Sequence, residues 1–298
     1  MIFRKSTLII LFVLLPDLLT DEKADQKYNE IFSIACHNCF LPQNAPSIED
    51  VLKYTSNIEL DIWDNKIGSG FLGVGKISNH WFVKHDGWEN GNVNCCGGSL
   101  NECLSRLKLW SNAHLKHRVI TVFLDKKENW GDSGEKRGPE DLDSLLFSIF
   151  ADKLVTPKTL MSTTFNSLRQ MSKENAWPAL ATLQQKFLFV ITDGTEFTKR
   201  KPLDEYLTSR ANAARCLVAP EIVNFNSISV PDNFTPSNVQ NIVMFNLNHI
   251  SKDLCPTISQ LNFMSRIYGA SENRKTLSEL ISKKANFIAF SNYKLALE

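Results

Sequence analysis

The sequence predicts an α/β protein whose strands and helices close into a (β/α)8 barrel. Three observations carry this prediction. Short β-branched or aromatic runs alternate with amphipathic helical stretches, the pattern of a parallel sheet whose strands are joined by helices. Eight such runs fit in 298 residues, a length suited to one barrel domain. Polar residues able to do chemistry gather at the ends of the first four runs, and barrels of this type hold their sites at the C-terminal ends of the strands. A doubly wound open sheet is the other arrangement of the same elements.

The chain opens with "MIFRKSTLIILFVLLPDLLT". Arg4 and Lys5 precede an apolar run from Leu8 to Leu15. A bilayer needs about 20 apolar residues, so this run is too short to span one. It fits a secretory signal peptide over residues 1–20, with an uncleaved anchor as the alternative. Residues 21–298 are then expected to form a single catalytic domain, because no linker, repeat or low-complexity tract interrupts them. Export would make the protein secreted, extracellular or periplasmic, where disulfides persist. The seven cysteines are Cys36, Cys39, Cys95, Cys96, Cys103, Cys216 and Cys255. An odd number leaves at least one without an intramolecular partner. Cys95 or Cys96 pairing with Cys103 is one plausible bridge.

The expected strands are "IFSIACH" (31–37), "NIELDIW" (57–63), "WFVKHD" (81–86), "RVITVFLDK" (118–126), "FLFVITD" (187–193), "RCLVA" (215–219), "IVMFNL" (242–247) and "NFIAFSN" (286–292). Between them, residues 99–114 place Leu100, Leu104, Leu107 and Trp110 on one helical face, with Ser99 as N-cap. Residues 138–154 begin with Pro139 and acids and carry an apolar stripe. Residues 202–213 and 275–285 are also amphipathic. The composition is that of a globular protein, 43% hydrophobic and 22% charged. A formal net charge of +1 gives no reason to expect a nucleic-acid partner.

The second run poses a physical question. Glu59 and Asp61 alternate with Leu60 and Ile62, so the two acids share one face and the aliphatics the other. Two neighbouring carboxylates repel, and burying either is costly. A cation, a shared proton or exposure to water would relieve this. The neighbouring strand ends favour a cation. The first run ends in His37 and Asn38, the third in His85 and Asp86, the fourth in Asp125 with Lys127 on the same face, and the last in Ser291 and Asn292. Asn38, Glu59, Asp61 and Asp125 offer only oxygen donors, which suit Ca²⁺ ahead of Mg²⁺ in an exported protein. His37 and His85 then stay available for proton transfer. A base and an acid flanking a cation suit transfer of a phosphoryl group between oxygens.

"HN" after an apolar strand, then "ELD", then a His after a third strand, resembles the catalytic region of the phosphoinositide-specific phospholipases C. The closest resemblance is to the calcium-dependent phosphatidylinositol phospholipase C-like proteins of microbes, within the PLC-like phosphodiesterases. "ECLSRLKLWSNAHLKHRVITVFLDKK", "FADKLVTP", "WPALATLQQKFLFVITD" and "ANFIAFSNY" extend it from about Phe32 to Tyr293. The resemblance implies His37 as the general base on the inositol 2-hydroxyl and His85 as the general acid for the diacylglycerol oxygen. It implies Asn38, Glu59, Asp61 and Asp125 as calcium ligands, and Lys127 at the phosphate. A phospholipid or other phosphodiester substrate follows, together with transient contact with a membrane surface, a monomeric enzyme and a cyclic phosphate product. The chain departs from the family pattern at three places. Asp125 stands for the usual Glu, Cys39 and Phe40 stand for Ser and Tyr, and Ala219 and Pro220 stand where an Arg is expected near the substrate.

Two other enzymatic readings use the same residues. A glycerophosphodiester phosphodiesterase shares the Glu-x-Asp and paired-His logic, but that family has Arg and Gly after its first His, where Asn38 and Cys39 stand here. "CHNC" (36–39) is a formal C-x-x-C thiol–disulfide motif, but Pro42 and Pro46 oppose the helix such a site opens. A third reading, from another class, is a catalytically silent module that binds lipid head groups. Trp88 and Trp130 follow strand-end loops, where they either pack the loops or touch a bilayer.

Overall fold

The computed structural model describes residues 25–64, 81–86, 98–131, 137–193 and 202–296. The expected signal peptide lies outside the described residues. Among those described, no helix is long and apolar enough to cross a membrane.

Among the described residues, ten strands follow one another: β1 (Ser33–Cys36), β2 (Asn57–Trp63), β3 (Phe82–Val83), β4 (Ile120–Lys126), β5 (Leu154–Val155), β6 (Phe187–Asp193), β7 (Leu217–Val218), β8 (Met244–Asn248), β9 (Met264–Tyr268) and β10 (Phe287–Phe290). They hydrogen-bond in the order β5-β6-β4-β2-β1-β10-β9-β8, with β7 on β6 and β3 on β2. One parallel bridge, Glu221 to Asn246, joins the chain after β7 to β8. It is held by Ile222 N–H to the Asn246 carbonyl at 3.2 Å and Asn246 N–H to the Pro220 carbonyl at 2.9 Å. This contact closes a ring of eight parallel strands, β1, β2, β4, β6, β7, β8, β9 and β10, so the barrel expectation holds.

Its membership differs from the expectation at two places. The run at 81–86 forms β3, which pairs antiparallel with the far end of β2 (Ile62 with Val83, Trp63 with Phe82) and is not a barrel stave. The missing stave is β9, in "NFMSRIYGA", paired parallel to β8 and β10. The helices fall near their expected places, at Leu100–Ala113, Pro139–Phe150, Pro202–Arg210 and Arg274–Ser282. Ser99 occupies the cap position without a side-chain cap bond, and its backbone bridges to Phe82.

Side-chain alternation sorts the barrel into two faces. Leu60 and Ile62 are fully buried members of the main hydrophobic cluster. The opposite face of the same strands fills the interior, where Phe123 and Phe287 meet edge-on at 5.1 Å. Tyr28 closes the base. It is fully buried and its hydroxyl lies 2.8 Å from Thr121 Oγ1, near the start of β4. Burial pushes the Tyr28 phenol up, against the lowering effect of that bond, so it stays neutral.

Candidate active site

Strand register sets the site. Asp61 on β2 pairs with Asp125 on β4, and Asp125 pairs with Thr192 on β6. Paired residues of parallel strands point the same way, so three neighbouring strands present Asp61, Asp125 and Thr192 at one level. Glu59 lies one layer deeper on the same face as Asp61. Oxygen atoms of Glu59, Asp61 and Asp125 lie within 4.8 Å of one another. Glu59 and Asp61 are 3% and 2% exposed, which removes exposure to water as the remedy for their repulsion.

Two cations reach this cluster. Lys127 Nζ lies 3.1 Å from Asp61 Oδ2 and also pairs with Asp125. The Lys127 residue expected at the substrate phosphate is therefore held among the acids. Arg266, from β9 and 2% exposed, donates to Glu59 Oε1 at 2.6 Å and to Asn246 Oδ1 at 2.9 Å, and its guanidinium lies 5.1 Å from the Phe123 ring centre. Burial raises the Asp61 carboxyl well above the usual range; Lys127 opposes the rise, and Glu59 and Asp125 add to it. Asp125 moves the other way. Burial would raise it, but the Lys127 charge and hydrogen bond, with a 2.7 Å bond from the Thr192 hydroxyl, hold it below its ordinary value. Burial would lower the Lys127 ammonium, but the Asp61 and Asp125 charges and the Asp125 hydrogen bond outweigh it and hold the group well above its ordinary value. Asp193, at the end of β6, is pushed up to about 6 by burial and by Asp125.

The end of β1 supplies His37 and Asn38. The His37 N–H continues the ladder to the Phe290 carbonyl at 3.0 Å, and His37 Nε2 lies 3.5 Å from Glu59 Oε2. Asn38 turns the chain out of the strand at φ 54°, the left-handed region where Asn is enriched among non-glycine residues. Its carbonyl accepts from Leu41 N–H at 3.1 Å and Asn44 Nδ2 at 2.9 Å. A disulfide joins Cys36 to Cys39 across these two residues. Cys103 is also disulfide-bonded, whereas Cys95 and Cys96 lie outside the described residues. Cys216 and Cys255 are free and buried.

His85 arrives by a route the sequence did not suggest. β4 occupies one edge of β2 up to Ile62, so β3 must take the other edge, the one that β1 uses at Ile58. The chain leaving β3 runs back down that edge, with Lys84 N–H on the Asp61 carbonyl at 3.3 Å. This delivers His85 and Asp86, both exposed, to the rim above β1, on the edge that also carries His37. Ser291 and Asn292 give their backbone N–H groups to the Glu272 carboxylate at 2.7 and 2.8 Å.

The donor set fits a hard cation. Three buried oxygens at the rim, Asn38 Oδ1, Glu59 Oε2 and Asp61 Oδ1, have no hydrogen-bond donor among the described residues. A buried carboxylate or amide oxygen without a partner is costly. Glu59 and Asp61, clustered with a third carboxylate, Asp125, and the Asn38 amide at the end of β1 provide the oxygen donors that Ca²⁺ or Mg²⁺ takes. Arg266, Thr192 and Asn246 complete the site and were not singled out in the sequence. The only prior signal for Arg266 was a charge inside a short apolar run. An Arg was sought near Ala219 and Pro220, but there Ala219 is fully buried and β9 supplies the rim guanidinium instead. Trp130 is buried, with its indole N–H on the Pro202 carbonyl at 2.8 Å, so it packs a loop. Trp88 lies outside the described residues. A cavity of 660 Å³ at the opposite end of the barrel, lined by Ser33, Asn57, Trp110 and Arg118 among others, contains none of the rim residues.

The chain is similar in sequence and fold to known proteins. The family described as phosphoinositide phospholipase C, Ca²⁺-dependent, matches residues 90–219. Among solved structures, a calcium-dependent phosphoinositol-specific phospholipase C from Pseudomonas sp. superposes with a TM-score of 0.83 at 27% identity, covering 94% of this chain and 95% of that one. Its myo-inositol complex gives 0.82 at 28% identity over 91% and 92%. A Ca²⁺-dependent phosphatidylinositol-specific phospholipase C from Streptomyces antibioticus shares the fold, with a TM-score of 0.76 at 20% identity over 91% and 96%. No curated protein sequence matches the chain. By its barrel and its sequence, the chain is a homologue of the calcium-dependent phosphoinositide-specific phospholipase C enzymes.

Proposed function

We propose that the protein is a Ca²⁺-dependent phospholipase C-like phosphodiesterase that cleaves phosphatidylinositol-type phosphodiesters. The observation that carries the reading is the cluster of Glu59, Asp61 and Asp125 oxygens within 4.8 Å of one another, with His37 Nε2 3.5 Å from Glu59. Asn38, Glu59, Asp61 and Asp125 would hold the calcium ion. Bound there, calcium supplies acidification of an attacking hydroxyl and charge compensation at the phosphate.

The chain's own groups divide the remaining work. His37 is the base that accepts the proton of the inositol 2-hydroxyl. Glu59, 3.5 Å away, orients the ring and stabilises the imidazolium that forms. Arg266 fixes Glu59 through its 2.6 Å bond. His85, delivered to the rim by the chain after β3, is the acid that returns a proton to the diacylglycerol oxygen as it leaves. Lys127 supplies positive charge beside the phosphate. The product is a cyclic inositol phosphate. Reaching such a substrate requires transient contact with a membrane surface, and a signal peptide at residues 1–20 would export the enzyme as a monomer.

The test is incubation of purified protein with phosphatidylinositol, other phospholipids and glycerophosphodiesters, with Ca²⁺ or a chelator, followed by phosphorus NMR. Cyclic phosphate formed only with calcium supports the reading. A linear product from glycerophosphodiesters selects the glycerophosphodiesterase chemistry instead. Binding without cleavage of any substrate leaves a silent head-group module and overturns the proposal.

A further inference from the structure

The Cys36–Cys39 disulfide encloses only His37 and Asn38, the proposed base and a proposed calcium ligand. Neither cysteine has a part in the chemistry proposed above. Cross-linking so short a loop restricts the unfolded chain least, because loop-closure entropy grows with loop length. Its consequence is therefore local. Both ends are anchored: Cys36 is fully buried and Cys39 is 2% exposed. Cys36 is held in the ladder between Phe290 and Ile58, and Cys39 Sγ lies 3.5 Å from the Ser291 carbonyl oxygen at the end of β10. The intervening Asn38 sits at φ 54°, a conformation accessible to Asn but not its commonest. That conformation accompanies both functional placements, His37 Nε2 at 3.5 Å from Glu59 and the buried Asn38 Oδ1 without a donor.

We propose that this disulfide is a positioning clamp. By tying the end of β1 to the start of the next turn, it holds His37 against Glu59 and Asn38 in its left-handed turn. The inference rests on the site assignment above. A thiol–disulfide exchange role fits less well, because both sulfurs are buried and the chain after Cys39 forms turns before the short helix Ile48–Val51, so no helix N-terminus activates a thiolate. A dithiol reductant opens the clamp in two exchanges. A reductant thiolate attacks one sulfur and forms a mixed disulfide. The second reductant thiol then closes the reductant's own disulfide, and two electrons and two protons leave Cys36 and Cys39 as thiols.

The experiment compares wild type with the Cys36→Ala/Cys39→Ala double variant. It measures kcat and KM on phosphatidylinositol vesicles, Ca²⁺ affinity by calorimetry, and the thermal midpoint. Misplacing reacting groups by about 1 Å costs on the order of 10²-fold, so kcat should fall about 10- to 100-fold while KM changes less than about threefold. Ca²⁺ affinity should weaken with it, and the midpoint should move little. Dithiothreitol should lower wild-type kcat reversibly and leave the double variant unchanged. Wild-type kcat and Ca²⁺ affinity in the double variant overturn the clamp. So does dithiothreitol sensitivity that persists in the double variant, which would place the effect at the Cys103 bridge. Should the double variant fail to fold, wild type reduced and alkylated at Cys36 and Cys39, identified by mass spectrometry, gives the same comparison, and full kcat in that species overturns the proposal. His37→Ala separates the two levels. If it is inactive while the double variant is normal, only the clamp fails; if it is fully active, the site assignment itself fails.

Discussion

Asp61 shows what the rim costs the protein and why it is kept. A carboxyl whose folded pKa lies above its unfolded value binds its proton more tightly in the folded chain. Its favourable contribution is complete at low pH and is lost as pH rises through the folded value. Burial and the neighbouring acids put Asp61 in this class, so near neutral pH the ionised group is carried at a cost that a cation offsets. Asp61→Asn is accordingly expected to match or exceed wild type in thermal midpoint without calcium at neutral pH. It should also lose calcium-induced stabilisation and drop turnover by about 10²-fold or more, as removal of a charge-stabilising group does. Melting curves with and without chelator check this, and a calcium-free Asn variant less stable than wild type counts against it. Asp193 gives the same sign at a defined place. Its pKa rises from 3.8 to about 6, so calcium-free stability should fall between those pH values, and Asp193→Asn should flatten that part of the profile. Lys127 acts in the opposite sense, since its ammonium already neutralises Asp61 and Asp125. Lys127→Met adds one net negative charge to the cluster, and site charge tunes calcium affinity. It should tighten calcium about tenfold in calorimetry while lowering turnover.

The strands show how much of this was legible in the sequence. β2 and β6 lie where their runs of branched and aromatic residues predict, because a strand buried on both faces writes itself as a continuous apolar run. The count of eight was right, but one member was wrong. "WFVKHD" has the same local character as a barrel strand, and nothing within six residues records that it pairs antiparallel. β9 was passed over because Arg266 breaks its apolar run, and a guanidinium in sequence suggests a surface. Its burial is explained only by Glu59 and Asn246, which come from other strands. In the sequence, His37 and Asn38 stood out because they end a run, and Glu59 and Asp61 because alternation puts both on one face of β2. Their unpartnered oxygens did not, since lack of a partner is a property of tertiary packing. Arg266→Met tests this strand-to-strand dependence. Removing one partner of a buried ion pair costs about 3–5 kcal/mol, and here it also frees Glu59 from its anchor. Urea unfolding should show that loss, and turnover should fall beyond what the unfolded fraction explains. A variant with wild-type stability would mean that Glu59 finds its counter-charge elsewhere.

Across the whole barrel, the ring joins first and last strands side by side, β1 against β10, so the rim draws on distant parts of the chain. The acids come from β2 and β4, His37 from the end of β1 and the buried guanidinium from β9. Three carboxylates, two buried and the part-buried Asp125, face two cations, Lys127 and Arg266, which leaves the cluster short of positive charge. A ligand that binds only the folded state stabilises it by mass action. Because this cluster has no counterpart in an unfolded chain, calcium should act on global stability and not only on turnover. At a free concentration about a hundred times its dissociation constant, the gain is about 2.7 kcal/mol. For a protein of 298 residues that amounts to an upward shift of a few degrees in the thermal midpoint. Magnesium should give a smaller shift at equal concentration, because it demands near-octahedral geometry and gives up its water reluctantly. Calorimetric melts with calcium, magnesium and chelator measure this without any substrate. The calcium shift should vanish in Asp61→Asn and persist in His85→Ala, whose imidazole does not belong to the ligand set. Equal shifts with both metals, or a calcium shift that survives Asp61→Asn, would move the cation away from this rim.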